Sequence, residues 1–438
     1  LIGSTRNMKN VLFIVYYFPP MGGSGVQRPL KFVKYLREFG WNPIVLRPEP
    51  GIYSHFDDSL ERELKKTKVE VISLQPQTPF HVAAGSNQEK YRERKIPDWL
   101  AKIVRRFLRL FMFPDNKKGW IEPAYQKAVE IIENRDVDLI FSTAPPFSNH
   151  VAAAKISDQT NLPLILDYRD LWLNNHFMDD MFGWQKRRMK KLEEFCLQRT
   201  KGVTALDDFM IDDIRSCYPE IDFNGFEVSH GFDPEDFENL EGKATLEYRK
   251  GKLNFLYSGL FYEQNQPDIL LKALVKAANE NALNLEQIHL HFQGGLDVRI
   301  QHLVEKLGLS NIVTDYGYVN HEIATANLLE ADVLWMISNF DAKHKQIKSG
   351  KLFEYIGTGK PILGLLHPGE ASRLLEQYGA GFVGNLSTPE KVQSTLETIF
   401  EQWEKDQLPE ANKEFIALFD RKKLTLKLAK IFDKISSQ

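Results

Sequence analysis

The stretch YYFPPMGGSGVQRPLKFVKYL, Tyr16 to Leu36, decides the fold of the first half of the chain. A strand-like apolar run ends in two prolines, crosses a glycine cluster and continues as a helix within a few residues. Gly22, Gly23 and Gly25 have no Cβ atoms, and the following helix directs its N-terminal N–H groups and positive dipole end at the gap. The stretch therefore predicts a strand, a loop suited to a phosphate group, and a helix.

Other interpretations of the glycine motifs are weaker. A tight turn that binds nothing stays open, although three glycines in four residues after a double proline are more than a turn requires. A dinucleotide fingerprint is disfavoured, because GGSGVQR lacks the third glycine of G-x-G-x-x-G and the second strand ends near Arg47 without a clear ribose-binding acid. The segment GTGKP fails as a nucleoside-triphosphate loop, because Glu354 replaces the first glycine and Pro361 the final hydroxyl.

Short, continuous apolar runs recur along the whole chain, separated by helical stretches. Before residue 232 they are VLFIVYYF, NPIVLRP, VEVISL, VDLIFST, PLILDYRD, GVTAL and GFEVSHG; after residue 252 they are LNFLYSGL, IHLHFQGG, IVTDYGYV, VLWMIS, PILGLL and GFVGNL. Continuous runs are typical of strands buried on both faces of a parallel sheet. The pattern predicts an α/β protein with two tandem, Rossmann-like, doubly wound parallel-sheet domains.

The 438 residues suit two such domains. We expect an N-terminal domain over 8–232, a polar linker over 233–252, a C-terminal domain over 253–408, and a helix over 409–438 that packs back on the first domain. Residues 1–7 show no periodicity. Ligands of open α/β sheets bind beyond the carboxyl ends of the strands, so we expect the chemistry in a cleft between the domains.

Composition excludes several classes of protein. The formal net charge of −3, from 56 basic and 59 acidic residues, gives no basic excess for nucleic-acid binding. Two cysteines, Cys196 and Cys217, make neither a disulfide framework nor a zinc set, which fits a reducing cytosol. No apolar run approaches the roughly 18 residues that span a bilayer. The sequence therefore predicts a cytoplasmic protein.

Three separated segments resemble the retaining family-4 glycosyltransferases of the GT-B fold. They are the glycine loop, LPLILDYRDLW (Leu162 to Trp172) and KSGKLFEYIGTGKPILGL (Lys348 to Leu365), in the order that the family has them. The resemblance covers essentially the whole chain from Met8. It implies a bacterial surface-polysaccharide type of enzyme that moves a sugar from a UDP- or GDP-linked donor to a glycan or lipid-linked acceptor, with retention and without a metal ion.

The resemblance also places the donor. A carboxylate at the position of Glu354 accepts hydrogen bonds from the ribose hydroxyls, and Lys351, three residues earlier, is the catalytic cation that neutralises the departing diphosphate. A surface Lys–Glu helix pair is the plainer alternative. The other implied donor-binding residues are Gly22, Gly23, Ser24, Gly25, Ser258, Gly259, Gly294, Val319 and Leu352.

The sequence departs from the family pattern at the phosphate site. Leu260 and Asn265 stand where the family usually has an arginine and a lysine, and Gln346 stands where it has a first glutamate. Helix N-termini and Arg28 or Lys348 are then further candidates for neutralising the diphosphate. The departures keep two alternatives open: a degenerate, glycosyltransferase-like scaffold that binds without turnover, and a sugar-nucleotide epimerase or hydrolase on the same fold.

Two polar segments follow buried strands of the first domain and form the predicted acceptor side. They are STAPPFSNH and DYRDLW, and they supply His150, Arg169, Asp170 and Trp172. We expect Arg169 and Asp170 to pair and shape this side, with Asp170 or His150 as catalytic groups that orient an acceptor hydroxyl. An internal Arg–Asp pair and a core histidine are the alternatives.

The segment DWLAKIVRRFLRLFMF, which starts at Asp98, has an apolar helical face opposite a basic one. Over 98–111 it predicts contact with an anionic membrane surface, to which KRRMKK (Lys186 to Lys191) after Trp184 would contribute. A helix that covers the first domain with a solvated basic side is the alternative.

Overall fold

The computed structural model describes residues 8–51, 56–77, 113–175, 178, 181–261, 265–339, 349–386 and 389–437. The chain divides into two compact units, Leu1–Ser229 with Lys422–Gln438, and His230–Arg421. Each unit contains one parallel sheet with helices beside it. The α/β, doubly wound, two-domain prediction is confirmed.

The first unit has a seven-stranded parallel sheet. Its strands are β1 (Lys9–Ile14), β2 (Trp41–Pro48), β3 (Glu70–Leu74), β4 (Leu139–Ala144), β5 (Leu164–Tyr168), β6 (Gly202–Ala205) and β7 (Asn224–Glu227), in the order β3-β2-β1-β4-β5-β6-β7. Its helices are α1 (Ser24–Tyr35), α2 (Asp58–Thr67), α3 (Ile121–Asn134), α4 (Ser148–Thr160), α5 (Gly183–Leu197) and α6 (Asp208–Cys217). The strand order reverses between β1 and β4.

Strand β1 shows why the apolar runs are continuous. Leu12 and Ile14 belong to the hydrophobic core on one face of the sheet, and Val11 and Phe13 belong to the core on the other. All four side chains are fully buried. Because successive side chains of a strand point to opposite faces, a strand covered on both faces needs apolar residues at every position.

The C-terminal helix α14 (Arg421–Ser436) packs on the first unit. The ring of Phe432 lies 5.3 Å from the ring of Trp41 and 5.3 Å from that of Phe141, measured between centroids. Leu424 and Leu428 join the same core. The helix therefore completes the core of the first unit after the chain has passed through the second, as the sequence predicts.

The second unit has a six-stranded parallel sheet. Its strands are β8 (Leu253–Ser258), β9 (Ile288–Gln293), β10 (Val313–Asp315), β11 (Val333–Ser338), β12 (Ile362–Leu366) and β13 (Gly381–Asn385), in the order β10-β9-β8-β11-β12-β13. Its helices are α7 (Asp268–Asn279), α8 (Val298–Lys306), α9 (His321–Glu330), α10 (Gly350–Thr358), α11 (Glu370–Tyr378), α12 (Pro389–Glu404) and α13 (Lys413–Ile416). Here the order reverses between β8 and β11.

The polar segment 233–252, predicted as a linker, is hydrogen-bonded to the second unit. The Oδ1 atom of Asn327 accepts from the backbone N–H groups of Thr245 and Leu246, at 2.7 and 2.9 Å. The hydroxyl of Tyr316 accepts from Glu247 N at 2.9 Å. These bonds, together with the division of the chain into units, place the segment within the second unit, so it is not a separate linker.

Two histidines are buried on one face of β9, two residues apart. His291 Nε2 bonds to Asn254 Oδ1 at 3.0 Å, and His289 Nε2 bonds to Thr314 Oγ1 at 2.9 Å. Desolvation lowers the pKa of His289 to about 4 and that of His291 to about 3. Both imidazoles are therefore neutral at physiological pH.

These histidines should make the second unit sensitive to acid. Their pKa values in the folded unit lie below the unfolded value, so the unfolded chain binds more protons below about pH 6.5 and stability is lost as the pH falls. From pH 6.5 to pH 5 we expect the unfolding free energy of this unit to drop by about 3 kcal/mol. Urea unfolding at both pH values measures the drop. The double variant His289→Gln, His291→Gln should show a smaller drop, and an equal drop would contradict the assignment.

Within the described ranges, no helix is both long enough and apolar enough to cross a membrane. The basic segment 98–111 lies outside the described residues. Cys196 is fully buried and Cys217 is partly buried, and both are free thiols.

Candidate functional site

The candidate residues of the second unit gather where its strand order reverses. Strand β8 ends at Ser258 and is followed at once by Gly259, and helix α10 follows β11, the neighbour of β8. The carboxyl ends of the strands at such a reversal form the usual ligand-binding position of open α/β sheets. The sheet thus places these side chains where a ligand is expected.

One face of helix α10 packs on the end of β8. Lys351 and Tyr355 are four residues apart and so lie on the same helical face. The hydroxyl of Tyr355 accepts from Ser258 N at 2.8 Å. Lys351 Nζ lies 3.7 Å from the centre of the Tyr257 ring, and a Cβ atom added to Gly259 would lie 2.9 Å from that nitrogen. The lysine side chain is thus held against the turn that follows β8.

Three glycine turns lie side by side at the ends of β8, β9 and β10. Gly259, Gly294 and Gly317 have φ angles of 120°, 130° and 62°. Gly259 N donates to Gln293 O at 2.6 Å, and Gly294 N donates to Gly317 O at 2.7 Å. A Cβ atom on Gly294 would lie 2.4 Å from Gly259 O. The Gly259 turn brings bare backbone to the side of Lys351, and at Gly294 only glycine fits.

Gly294→Ala should therefore disrupt the turns at Gly259 and Gly294. We expect a loss of about 2 kcal/mol of stability, because the methyl group meets backbone that cannot move aside and φ is positive. Gly308→Ala is the control, since Gly308 also has a positive φ (71°) but open space around its Cβ position. Thermal unfolding of both variants measures the difference. A Gly294→Ala variant no less stable than the control would contradict the close packing of the turns.

Lys351 and Glu354 are the charged groups at this position. Desolvation lowers the pKa of Lys351 to about 7, and the charge of Glu354 raises it in part. Desolvation also raises the pKa of Glu354, which the nearby His321 lowers. Within the described part of the chain, neither the Lys351 ammonium nor the Glu354 carboxylate has a hydrogen bond or a salt bridge. Such groups are chemically able to bind the polar groups of a ligand.

The other predicted donor-site residues of this unit differ in exposure and in their contacts. Leu260 is 40% exposed, and Asn265 Oδ1 accepts from Asn339 N at 2.6 Å, so neither supplies a cation. The side chain of Leu352 is fully buried in the core, which leaves only its backbone to contact a ligand. Val319 is half-buried. Gln346 and Lys348 lie outside the described residues.

In the first unit, Arg169 fastens the glycine loop. Its guanidinium donates to Gly25 O at 2.5 Å, to Ala144 O at 3.2 Å and to Pro145 O. The side chain is buried, which lowers its pKa, and the charge of Asp170 raises it. The loop after β1 and the loop after β4 are thereby joined at the reversal of the strand order. The predicted role of Arg169 in shaping this region becomes one of holding two loops together through their carbonyls.

Gly22, Gly23, Ser24 and Gly25 form the turn into α1. Gly23 has a φ of 105°, and no side chain caps the N-terminus of the helix. A Cβ atom on Gly25 would approach the Arg169 guanidinium to 3.4 Å, whereas one on Gly23 would meet nothing within 4 Å. The loop therefore has an exposed backbone position at Gly23 and a packed one at Gly25.

Arg28 was a candidate for binding phosphate, and the structure corrects this. Its Nε and Nη2 atoms donate to the two carboxylate oxygens of Asp167, at 3.0 and 2.7 Å, and its guanidinium also donates to Val228 O and Ser229 O. Both side chains are almost completely buried. The Arg28 charge is neutralised inside the first unit and is not available to a substrate.

His150 and Trp172, predicted on the acceptor side, have no solvent exposure. His150 Nδ1 bonds to Ser142 Oγ at 2.9 Å, and desolvation lowers its pKa to about 3. Trp172 stacks on Phe147 with a centroid distance of 4.5 Å. The structure places both in the core, so it gives no support to direct contact with an acceptor. Asp170 is partly exposed.

Sequence analysis missed a cluster of titratable groups beside the glycine loop. Asp115 accepts from Ser148 N and Oγ, at 2.9 and 2.6 Å, and desolvation raises its pKa. Burial lowers the pKa of Lys117 and raises that of Tyr17. The sequence could have indicated Tyr17, because this residue lies soon after the first strand. Asp115 and Lys117 come from a segment with no motif.

Comparisons with known proteins identify the fold. No protein-family profile and no curated sequence matches the chain. A glycosyltransferase from Rickettsia africae superposes with a TM-score of 0.66 at 15% identity, over 98% of this chain and 99% of that one. Sucrose-phosphate synthase from Thermosynechococcus elongatus gives 0.65 at 14%, over 98% and 99%. Anabaena HepE in complex with UDP-glucose gives 0.62 at 15%, over 97% and 99%. The chain has the two-domain architecture of GT-B glycosyltransferases.

Proposed function

We propose that this protein is a glycosyltransferase that transfers a sugar from a nucleotide sugar to a hydroxyl-bearing acceptor. The observation that carries the proposal is the pair Lys351 and Glu354, one helical turn apart and beside the Gly259 turn. Within the described residues, neither charged group has a hydrogen bond or a salt bridge. One cation and one anion at that spacing match a ligand that combines a diphosphate with a ribose diol. The GT-B fold supports this interpretation of the pair as a nucleotide-sugar site.

Lys351 is suited to a diphosphate because, without a bound anion, its side chain is only partly protonated at neutral pH. An ammonium with a pKa of about 7 is half neutral at neutral pH. A bound diphosphate would restore its charge, and a site with few waters would make that interaction strong. As the bond to the sugar breaks, negative charge grows on the leaving phosphate, and a fixed cation stabilises that charge most. Lys351 is therefore the proposed catalytic cation.

The proposal also specifies the donor nucleotide, the acceptor and the type of mechanism. The complex of HepE with UDP-glucose supports a uridine nucleotide first and a guanosine nucleotide second. Retention of configuration, independence of a divalent metal, and a glycan or lipid-linked acceptor of bacterial surface polysaccharides follow from the family resemblance. We assign the acceptor to the first unit, near Asp170 and the glycine loop. Activity unchanged by a metal chelator would support the metal-independent mechanism.

A scaffold that binds a nucleotide sugar without turnover is the second candidate. It is favoured by Leu260 and Asn265, since neither replaces the cations that the family has at these positions. With one lysine instead of three cations, leaving-group stabilisation is weaker, whereas ground-state binding can survive. The two candidates differ in whether the bond between sugar and phosphate is cleaved.

The deciding experiment is turnover of a panel of UDP- and GDP-sugars with a mixed fraction of bacterial glycans and lipid-linked saccharides. A transferase releases nucleoside diphosphate only when acceptor is present, and the sugar appears in the acceptor fraction. Release without acceptor would identify a hydrolase, and a changed sugar on intact nucleotide an epimerase. Binding of a nucleotide sugar without any of these products would overturn the transferase in favour of the scaffold.

Glu354→Ala should weaken nucleotide binding. We expect a loss of about 1.5 to 3 kcal/mol, the usual cost of losing a charge-assisted hydrogen bond, if the carboxylate accepts from ribose hydroxyls. Isothermal calorimetry with the nucleotide found in the panel measures it, and the deoxyribose form of the same nucleotide should lose less on the substitution. Glu376→Ala is the control, because Glu376 is an exposed carboxylate of the same unit. Equal affinity of wild type and Glu354→Ala would remove Glu354 from the donor site.

A further inference from the structure

The N-terminal half of helix α5 carries a dense cluster of exposed positive charges. Phe182 and Trp184 are each 49% exposed at its start. Residues 183–191 contain no acidic residue. The exposed cations of this half-helix are Lys186, Arg187, Arg188, Lys190 and Lys191. We call these five cations and the two aromatic residues the α5 surface.

The α5 surface is not required for packing the helix. Gln185, Met189 and Glu193 are buried, four residues apart, and they attach the helix to the unit. Clustered cations repel one another, and the positive end of the helix dipole is unfavourable for them. Within the described chain, no ion pair involves Arg187 or Lys191. Arg187 and Lys191 therefore add positive charge to this surface without an ion pair that would stabilise the folded unit.

Trp184, at the start of α5, packs against a neighbouring aromatic ring. The Trp184 ring lies 5.8 Å from the Phe113 ring, and the Arg188 guanidinium lies 4.6 Å above Phe113. Trp184 nevertheless keeps half of its surface exposed. An exposed aromatic pair next to cations matches the boundary between lipid headgroups and acyl chains, where aromatic rings insert and basic side chains meet phosphates.

We propose that the α5 surface binds an anionic lipid bilayer. Complementary charge supplies the attraction, and Phe182 with Trp184 supplies insertion at the interface. A nucleic acid is the weaker partner, because the chain as a whole has a net charge of −3. The proposal names the surface through which the proposed enzyme would reach a lipid-linked acceptor. Its test uses lipid binding alone, so it stands or fails independently of the donor chemistry.

The experiment is vesicle flotation of the full chain with phosphatidylcholine vesicles, with and without phosphatidylglycerol. We expect binding only to the anionic vesicles, and a fall of about a hundredfold in the double variant Arg187→Glu, Lys191→Glu. The control Lys427→Glu, Lys430→Glu makes the same charge change on exposed positions of α14. It should stay within about threefold of wild type. Equal losses in the two double variants, equal binding to neutral vesicles, or no vesicle binding by wild type would overturn the proposal.

The fluorescence of Trp184 distinguishes insertion into the bilayer from adsorption by charge alone. Vesicles with brominated acyl chains should quench part of the tryptophan fluorescence of wild type. Trp184→Phe should bind the same vesicles within about threefold, since an aromatic ring is retained, but lose that quenching. Quenching that persists in Trp184→Phe would place the inserted tryptophan elsewhere and overturn the assignment to α5. Circular dichroism of each variant verifies that it is folded.

Discussion

Replacing Lys351 with methionine is expected to weaken the binding of a nucleoside diphosphate by about a hundredfold at pH 6.5, because one charge-assisted contact to phosphate is lost. The loss in kcat/KM for the nucleotide sugar should be larger, about a thousandfold, since the phosphate charge grows in the transition state. Calorimetry with UDP and GDP measures the first, and initial rates of nucleotide release measure the second. Lys276→Met, an exposed lysine of the same unit, is the control.

The pH dependence of binding tests the same lysine more sharply. The pKa of free Lys351 is about 7, and a bound diphosphate raises it. Binding should therefore take up about half a proton at pH 7 and nearly one at pH 8, and affinity should fall as the pH rises above 7. Calorimetry in buffers of different ionisation enthalpy gives the proton count. Subtracting the count for Lys351→Met removes the nucleotide's own titration, and a difference of zero would contradict the role of Lys351.

Asp167→Asn should cause the largest loss of stability. Arg28 and Asp167 are almost completely buried, and Thr143 and Thr204 also donate to the carboxylate, each at 2.8 Å. Removing the negative charge leaves the guanidinium buried without a counter-ion, which costs about 3 to 5 kcal/mol. Urea unfolding of the first unit, followed by near-ultraviolet circular dichroism, measures the loss.

Two further variants separate the buried pair from the loops around it. The double variant Arg28→Met, Asp167→Leu removes both charges and should recover most of the lost stability, because no unpaired charge stays in the core. Asp170→Asn, at the partly exposed neighbouring carboxylate, should cost less than about 1 kcal/mol. An Asp167→Asn variant as stable as Asp170→Asn would contradict the importance of the buried pair.

The central strands of both sheets were predictable because they are buried on both faces. The run VLFIVYYF is apolar at every position, and a helix or an edge strand does not need that pattern. The crossing of the C-terminal helix to the first unit was predictable from its amphipathic sequence with no strand after it. The positions of Lys351 and Glu354 came from the family resemblance, and their spacing placed them one helical turn apart.

Other features depend on contacts between residues that are far apart in the chain. Arg28 and Asp167 are separated by 139 residues, and a single sequence does not indicate that this arginine is neutralised by that carboxylate. The segment 233–252 is polar like a linker, but its partner Asn327 lies some 80 residues further on. The pKa of Lys351 depends on how α10 packs against the end of β8. None of these long-range contacts can be deduced from the spacing of residues along a helix.

We propose above that Lys351 and Glu354 bind the diphosphate and ribose of a nucleotide sugar. The most direct test is a thermal-shift screen of wild type and Lys351→Met against UDP, GDP, CDP, ADP and their common sugars, without added metal. We expect a rise of several degrees with one nucleotide and its sugar in wild type, and a much smaller rise in the variant. No rise with any of them, or an equal rise in both proteins, would contradict it.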